Sequence, residues 1–258
     1  MIDGSYYVFF RYHALLNWWR HAKPDDSDKD PSESEEFMEK FRKTFVTKLL
    51  EMPKKLGITE KVVMMVAKDC PRPDIWRNLH TSDYKAGRKN ADVGKFFAEG
   101  YKDLFAQAGV EAVLSYPRLE ADDCIAITTK HIMNTYPDAR VWIIASDMDY
   151  LQLASPRVDI KTLKYTSLVD SKNSFGDPEK DLFCKVVSGD KSDNIPPVFP
   201  RCGLRTAARY YDNPDAFEKK LLSVPGAKET YANNRRLISF ECIPEDLVDG
   251  FKRECLGL

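Results

Sequence analysis

The 258-residue chain lacks the patterns that mark several classes of protein. Its six cysteines are scattered without a C-x-x-C pair, so neither a disulfide framework nor a zinc site is expected. No apolar run reaches 18 residues, and the N-terminal stretch has neither a basic region nor a small-residue cleavage site. These absences predict a soluble, intracellular protein in a reducing compartment, with no membrane association.

An excess of positive charge is also missing. The chain has 39 Lys and Arg against 40 Asp and Glu, for a formal net charge of −1. A protein that binds nucleic acid through overall basicity is therefore excluded, and an anionic partner would be held by local basic patches or by metal ions. At 43% hydrophobic residues the chain can bury the core of one large domain.

Short apolar runs alternate with helical patterns along the first two thirds of the chain. Residues 61–67 and 140–145 are almost continuously apolar, which predicts parallel strands buried on both faces, and residues 110–116 are a third candidate strand. Between them, helices are predicted from Ser34 as N-cap, over 96–109 and over 121–136. The pattern favours an α/β fold with a mostly parallel central sheet flanked by helices. From residue 188 onward we expect helices and loops.

Acidic residues follow the predicted strands at the point where each strand ends. They are Asp3, Asp69, Glu120, Asp122, Asp123, Asp147 and Asp149. The carboxyl ends of parallel strands share one rim, where like charges ~4 Å apart repel by roughly 4 kcal/mol at an effective dielectric near 20. Taken singly, such acids are often helix-capping or turn residues. Four strand ends that all carry acids favour instead a site for Mg²⁺ or Mn²⁺, which prefer oxygen ligands.

A fifth acidic cluster completes a set of motifs. It is "GDKSDNIP" at 189–196, and it follows "DGS" at 3–5, "YKAGR" at 84–88, "EADD" at 120–123 and "SDMDY" at 146–150. With these motifs in this order, the chain resembles the 5′-nuclease superfamily, which includes phage flap endonucleases, 5′-3′ exonucleases and the 5′-nuclease domain of bacterial DNA polymerase I. The resemblance implies a PIN-like nuclease core over 1–185 with a helical arch near 81–95. It also implies a helix–three-turn–helix region over 186–258 in the same compact unit.

The resemblance assigns roles to individual residues. It implies a two-metal site for Mg²⁺ or Mn²⁺, in which Asp122 is shared between the metals. The first metal would be bound by Asp3, Asp69, Glu120 and Asp122, and the second by Asp147, Asp149 and Asp190, with Asp123 and Asp193 as additional acids. Lys85 and Arg88 would face the scissile phosphate from the arch, beside Tyr84 as a stacking platform for a base.

The same resemblance implies a surface for duplex DNA around the helical hairpin. Its expected DNA-binding residues are Lys89, Lys191, Arg201, Gly203, Arg205, Thr206 and Arg209. The family has glycines in the first half of this hairpin, whereas this chain has Pro197 and Arg201 at about those positions. This departure leaves open whether the hairpin binds a monovalent cation.

The function that the resemblance implies is a divalent-metal-dependent, structure-selective 5′ nuclease. Its substrates would be DNA with 5′ flaps, nicks or RNA primers, hydrolysed during replication and repair, with RNase H activity open. We expect a monomer in the cytoplasm of a bacterium or of a phage-infected cell, where a replication polymerase or a single-strand-binding protein could act beside it. Two alternatives remain: a PIN-type ribonuclease, and a DNA-junction binder without catalytic activity.

Overall fold

A single parallel sheet forms the centre of the fold. The structure is a computed structural model that describes residues 1–24, 30–88 and 93–258. In these ranges the sheet has five strands in the order β3-β2-β1-β4-β5, and they are β1 (Ile2–Asp3), β2 (Met64–Ala67), β3 (Val110–Leu114), β4 (Val141–Ile144) and β5 (Val158–Lys161). All four pairings are parallel. From β1 the chain adds β2 and β3 on one side and then β4 and β5 on the other. In parallel sheets, ligands bind at the carboxyl ends of the strands where this change of side occurs, so we expect a ligand at the ends of β1 and β4.

The predicted strands are confirmed, and β1 is short but well held. Ile2 is 2% exposed and pairs with Val66 on one side and Ile144 on the other. Strand β5 was not predicted, because the sequence "VDIK" alternates apolar and polar residues over only four positions. The sheet therefore contains β1 and β5 in addition to the three strands that the apolar runs indicated.

Helices cover both faces of the sheet and make up the C-terminal part of the chain. They are α1 (Gly4–Ala22), α2 (Glu35–Leu50), α3 (Met52–Lys55), α4 (Gly94–Glu99), α5 (Phe105–Gln107), α6 (Ala121–Thr135), α7 (Pro178–Ser188), α8 (Leu204–Tyr211), α9 (Pro214–Ser223), α10 (Ala227–Ile238) and α11 (Glu245–Phe251). Ser34 caps α2 through its hydroxyl, which accepts from Phe37 N at 3.3 Å. The helix predicted over 96–109 is interrupted by a π-helical turn, Gly100–Leu104, which joins α4 to α5.

Alternate residues of the strands enter two different cores. On one face, Ala67 and Ile143 pack with α6 and α11. On the other face, Val66 and Ile144 pack with the aromatic residues of α1, α2 and the α4–α5 helix. Burial on both faces is why these strands are continuously apolar. The fold is thus a three-layer arrangement with the sheet between two helical layers.

The C-terminal helices form a further apolar cluster around α7 and α8. Cys184 and Val187 of α7 pack there against Val198, Phe199 and Ala207. Helix α7 spans the boundary expected near residue 185, so this boundary does not fall between two elements of the fold. No helix within the described ranges is both long and apolar enough to cross a membrane.

Candidate metal and nucleic-acid site

Six of the predicted acids line one cleft at the carboxyl ends of the strands. We call it the acid cleft; its volume is about 500 Å³, and its acids are Asp3, Asp69, Glu120, Asp122, Asp147 and Asp190. Three basic residues share its lining, namely Lys85, Arg88 and Lys185. Asp123, Asp149 and Asp193 lie behind this lining and are almost fully buried.

Asp3 is held at the end of β1 by the start of the next helix. Its Oδ1 accepts from Tyr6 N at 2.9 Å, so Asp3 is the N-cap of α1, and its Oδ2 accepts from the Tyr150 hydroxyl at 3.1 Å. Burial, together with the nearby charge of Asp69, raises the pKa of Asp3 to about 7. A cation in the cleft would remove this cost by stabilising the carboxylate.

Asp69 is oriented by two donors from different elements. The Ser5 hydroxyl donates to Oδ2 at 2.5 Å, and Ala121 N, in the first turn of α6, donates to Oδ1 at 2.9 Å. The helix N-terminus offers a free backbone donor and favourable partial charge to a carboxylate. Asp69 therefore links the ends of β2 and α6 at the cleft.

Asp122 and Glu120 lie at the N-terminus of α6 with different surroundings. Asp122 faces the cleft, and its Oδ1 accepts from Asp123 N at 2.7 Å. Burial and the adjacent charges of Asp123 and Glu120 raise the pKa of Asp122 well above its usual range. Although burial opposes it, the positive charge of Arg77 and then of Lys85 lowers the pKa of Glu120. Of these two acids, Asp122 therefore has its negative charge less well compensated.

Asp123 is occupied by structural contacts. Its carboxylate accepts from Trp76 Nε1 at 2.9 Å, from both terminal nitrogens of Arg77 at 2.8 Å and from Glu120 N at 3.1 Å. Arg77 is itself 2% exposed, and it also donates to Glu120 at 2.8 Å and to the carbonyl of Leu237 at 2.7 Å. Metal ligation by Asp123, as expected from the sequence, would compete with these bonds. In this structure the residue anchors the N-terminus of α6.

The three acids assigned to the second metal surround one lysine. The Nζ atom of Lys185 lies 2.6 Å from Asp149 Oδ1, 2.9 Å from Asp190 Oδ2 and 3.3 Å from Asp147 Oδ1. Burial raises the pKa of Asp149 to about 7 despite this contact. For Asp190, burial is outweighed by Lys185 and by hydrogen bonds from Ser192, which lower the pKa to about 2. Three acids from the end of β4 and from the loop after α7 thus converge on a cation.

The arch residues predicted to be catalytic are folded against the acids. Lys85 is 9% exposed and forms ion pairs with Glu120 and, at 3.6 Å, with Asp193. Arg88 forms an ion pair with Asp193, although its side chain remains exposed. Tyr84 is 6% exposed and donates to Glu120 at 3.0 Å, so a base could stack on its ring only after residues 81–88 had moved. Lys89 lies outside the described residues.

The residues expected to bind duplex DNA lie at the surface of the α7–α8 hairpin. Those that are exposed are Lys191, Arg201, Gly203, Arg205, Thr206 and Arg209. Gly203 is the N-cap of α8, and Arg201 has φ 59°, a left-handed conformation that favours glycine. The backbone at this departure from the family pattern therefore keeps a glycine-like conformation despite the arginine side chain.

The donor set of the acid cleft fits a hard divalent cation. Carboxylate oxygens predominate, and no histidine is among the described residues that line it. Oxygens of Glu120, Asp122 and Asp123 lie within 4.8 Å of one another. The ammonium of Lys185 is already held by three of the acids, which indicates that this part of the cleft accommodates positive charge.

Sequence reasoning missed two cations of the site, the buried Arg77 and the largely buried Lys185. Lys185 stands in "FCKVV" and Arg77 in "DIWRN", and both are single charges within short, mainly apolar runs. A charged residue is seldom buried unless it is paired with an opposite charge. A single cation within an apolar run therefore indicates a buried ion pair, and this signal could have identified both residues. Ser5 and Tyr150, which hold Asp69 and Asp3, gave no comparable signal.

Comparison with known proteins agrees with the fold and the acid cleft. The family described as 5′-3′ exonuclease, N-terminal resolvase-like domain, matches residues 1–180. The chain belongs to this family of 5′-3′ exonucleases, as the resemblance predicted.

Two curated relatives and two solved structures illustrate the likeness. Ribonuclease H of Enterobacteria phage T4 is 28% identical over 217 residues, which are 76% of this chain and 69% of the relative. DNA polymerase I of Rhizobium leguminosarum is 36% identical over 98 residues, which are 35% of this chain and 9% of the relative.

The phage T5 D15 protein, crystallised with metal ions, shares 20% identity and a TM-score of 0.68 over 99% of this chain and 97% of that one. A T5 D15 flap endonuclease complex with DNA and metal ions has a TM-score of 0.64 at 18% identity, over 99% and 97% of the two chains. At these identities the structural likeness establishes the fold.

Proposed function

We propose that this 5′-3′ exonuclease is a structure-selective 5′ nuclease that hydrolyses phosphodiesters in DNA flaps, nicks or RNA primers with two Mg²⁺ or Mn²⁺ ions. The observation that carries the proposal is the convergence of acids from four strand ends, and from the loop after α7, on one cleft. The metal-bound and DNA-bound T5 relatives support it. RNase H activity is included because a T4 relative carries that name.

Each group of residues has a role in this proposal. Asp3, Asp69, Glu120 and Asp122 would hold one cation, and Asp147, Asp149 and Asp190 would hold the other, with Asp122 between them. Bound divalent cations supply an activated water and stabilise the leaving oxygen. Asp123 and Asp193 keep Arg77 and the arch residues in position.

Lys85 and Arg88 stabilise negative charge on the phosphate once they leave their acids. Both are paired with carboxylates here, and a phosphate entering the cleft offers them an alternative anionic partner. The exposed arginines around Gly203 bind the duplex phosphates and so set the distance from the duplex to the cleft. A polymerase or a single-strand-binding protein would act beside the enzyme on the same DNA.

The test is cleavage of a 5′-labelled flap duplex with and without Mg²⁺ or Mn²⁺. Asp147→Asn is expected to lower kcat by at least ~100-fold, because one ligand of the second cation loses its charge. The matched control is Asp159→Asn, which removes an acid of β5 that is paired with Arg140 at the surface. Full activity of Asp147→Asn would contradict the metal assignment.

The two alternatives predict different results in the same assays. A PIN-type ribonuclease would cleave single-stranded RNA in preference to the flap duplex. A junction binder without activity would bind the duplex but would bind no Mn²⁺ in a calorimetric titration. The Asp190 and Asp193 loop and the exposed α8 surface favour the flap nuclease over both.

A further inference from the structure

A second cleft adjoins the acid cleft on the side of β2 and β3. It has a volume of about 470 Å³ and shares Ser5 and Asp69 with the acid cleft. Its remaining wall contains two lysines, Lys68 and Lys102, and two aromatic rings, Phe97 and Tyr101. We call the cleft that these four residues line the side cleft. None of them belongs to the motifs that assign the catalytic site.

We propose that the side cleft binds the single-stranded 5′ segment of the substrate, with phosphates on Lys68 and Lys102 and a base against Phe97. The proposal rests on the proposed nuclease function, because it extends the path of the same DNA strand beyond the acids. Its chemistry is the combination of positive charge and aromatic surface that binds single strands without sequence preference.

The charges of the side cleft are available to a ligand. Lys68 and Lys102 are exposed, and neither forms an ion pair with any residue in the part of the chain that the structure describes. The ammonium of Lys68 lies 5.1 Å from the centroid of the Tyr101 ring, which positions it while leaving it open to solvent. Two unpaired lysines beside an acid cleft are suited to the phosphates of a strand that passes through both.

The aromatic surface continues from one cleft to the other. Phe97 is half-buried in the side cleft, and its ring lies 5.0 Å from that of Phe9, which lines the acid cleft. The rings of Phe97 and Tyr101 have centroids 6.4 Å apart and planes inclined by 30°. A strand that leaves Asp69 therefore meets a continuous aromatic wall.

The backbone of the side cleft includes a π-helical turn. Tyr101 and Lys102 belong to the π-helical turn between α4 and α5, and such turns are rare and frequently occur at functional sites. The Tyr101 hydroxyl approaches the backbone at Gly4 so closely that a Cβ on residue 4 would lie 2.1 Å from it. Glycine next to Asp3 is thus required for Tyr101 to occupy the wall of the side cleft.

The topology decides which part of the substrate reaches the side cleft. Helix α7 contacts the segment after β4 through Lys185, and α8 packs on α7, whereas Tyr101 of the π-helical turn contacts Ala67 at the end of β2, just before Asp69. Duplex DNA held at α8 would reach the acids from the β4 side. The strand that continues past the acids toward Lys68 is then the 5′ single strand.

The experiment measures binding by fluorescence anisotropy in EDTA, so that cleavage does not interfere. The probes are a labelled single-stranded oligonucleotide, a 5′-flap duplex and a nicked duplex without a flap. The double variant Lys68→Ala/Lys102→Ala is expected to raise Kd about 10-fold for the first two probes and to leave the nicked duplex unchanged. The slope of log Kd against log salt should fall by about 1.4, for two contacts to a single strand.

Control variants distinguish strand binding by the side cleft from a general effect of lower surface charge and from unfolding. Lys54→Ala/Lys55→Ala removes two exposed lysines from α3 and should change neither Kd nor the salt slope. Lys68→Arg/Lys102→Arg keeps the positive charges and should therefore have the wild-type Kd and salt slope. Phe97→Leu should weaken single-strand binding about 5-fold without changing the salt slope. In Mn²⁺, KM for the flap duplex should rise while kcat stays within about 2-fold.

The outcomes distinguish this inference from the proposed function. Failure of the wild type to cleave any flap duplex would overturn the nuclease proposal, while the EDTA titrations would still test the side cleft. If the double variant has the wild-type Kd and salt slope for single strands, the side cleft is not a binding site. Equal weakening for the nicked duplex would assign the lysines to duplex DNA and would also overturn the inference.

Discussion

The Nζ atom of Lys185 lies 2.6 Å from Oδ1 of Asp149, and both side chains are largely buried. This ion pair joins α7 to the segment that follows β4. Asp147 and Asp190 contact the same ammonium, so one lysine faces three carboxylates. Without a bound metal, Lys185 is therefore the principal countercharge for these three acids among the described residues.

The first prediction concerns metal-dependent stability. Lys185→Met should lower the free energy of unfolding in EDTA by about 3 kcal/mol, because the buried Asp149 and the partly buried Asp147 and Asp190 lose their cation. Mn²⁺ should then stabilise the variant more than it stabilises the wild type, since it replaces the missing charge. Urea unfolding with EDTA or Mn²⁺ measures both quantities.

A lysine on the same helix provides the control for this prediction. Lys180→Met removes a lysine whose partner, Asp212, lies at the surface, and its cost should stay below about 1 kcal/mol with or without Mn²⁺. An equal Mn²⁺ increment in Lys185→Met and the wild type would show that the metal does not bind among these acids.

The second prediction separates two neighbouring acids of α6. Asp123→Asn should cost about 3–5 kcal/mol in unfolding free energy, because the buried guanidinium of Arg77 loses its charged partner. Asp122→Asn should change stability by less than about 1 kcal/mol in EDTA, because the pKa of Asp122 is already raised by burial and its charge is costly.

The affinity for Mn²⁺ should depend more on Asp122 than on Asp123, which is the opposite of their effects on stability. Asp122→Asn is expected to lower the affinity for Mn²⁺ by at least ~10-fold, and folded Asp123→Asn by less. Calorimetric titration of both variants measures this. A stable Asp123→Asn that has lost Mn²⁺ binding would identify Asp123 as a ligand instead of an anchor.

The third prediction concerns pH. Burial raises the pKa of Asp3 and of Asp149 to about 7, above the value near 3.9 of an unfolded aspartate. The folded state therefore binds more protons than the unfolded state between about pH 4 and 7, and the metal-free protein should lose stability as pH rises through this window. Mn²⁺ requires the ionised acids, so its affinity should instead rise up to about pH 7 and then level off.

Urea unfolding in EDTA from pH 5 to 8, with Mn²⁺ titrations at the same pH values, checks both trends. The double variant Asp3→Asn/Asp149→Asn should remove only part of the pH dependence of metal-free stability, because the raised pKa of Asp122 still contributes to it. A metal-free protein that gains stability between pH 5 and 7 would contradict the raised pKa values of these two acids.

The fourth prediction tests the arginine in the helical hairpin. Arg201 has φ 59°, so Arg201→Gly should raise the free energy of unfolding by about 0.5–1 kcal/mol relative to Arg201→Ala, which keeps the strain. Both variants should weaken duplex DNA binding equally, because both remove the same positive charge. Unequal DNA binding at matched salt would show that the backbone of residue 201, and not its side chain, contacts the DNA.

The sequence by itself determined the central sheet and most of the acid cleft. Continuous apolar runs identified β2 and β4, because strands buried on both faces need apolar residues at every position, whereas the edge strand β3 keeps alternate residues exposed. Acids directly after the strands had to meet at one rim, because parallel strands end on the same side of a sheet. The order of the motifs gave the family.

Only the tertiary structure decided how the charges of the site are paired. Arg77 is 46 residues from Asp123, and Lys185 is 36 residues from Asp149, so no local pattern brings either pair together. The side cleft likewise depends on packing, because the Tyr101 hydroxyl lies against Gly4 and Ala67, which are distant from it in sequence. Residue types predict which groups need partners, but the fold determines which partners they find, since buried charges are stabilised by contacts that are distant in sequence.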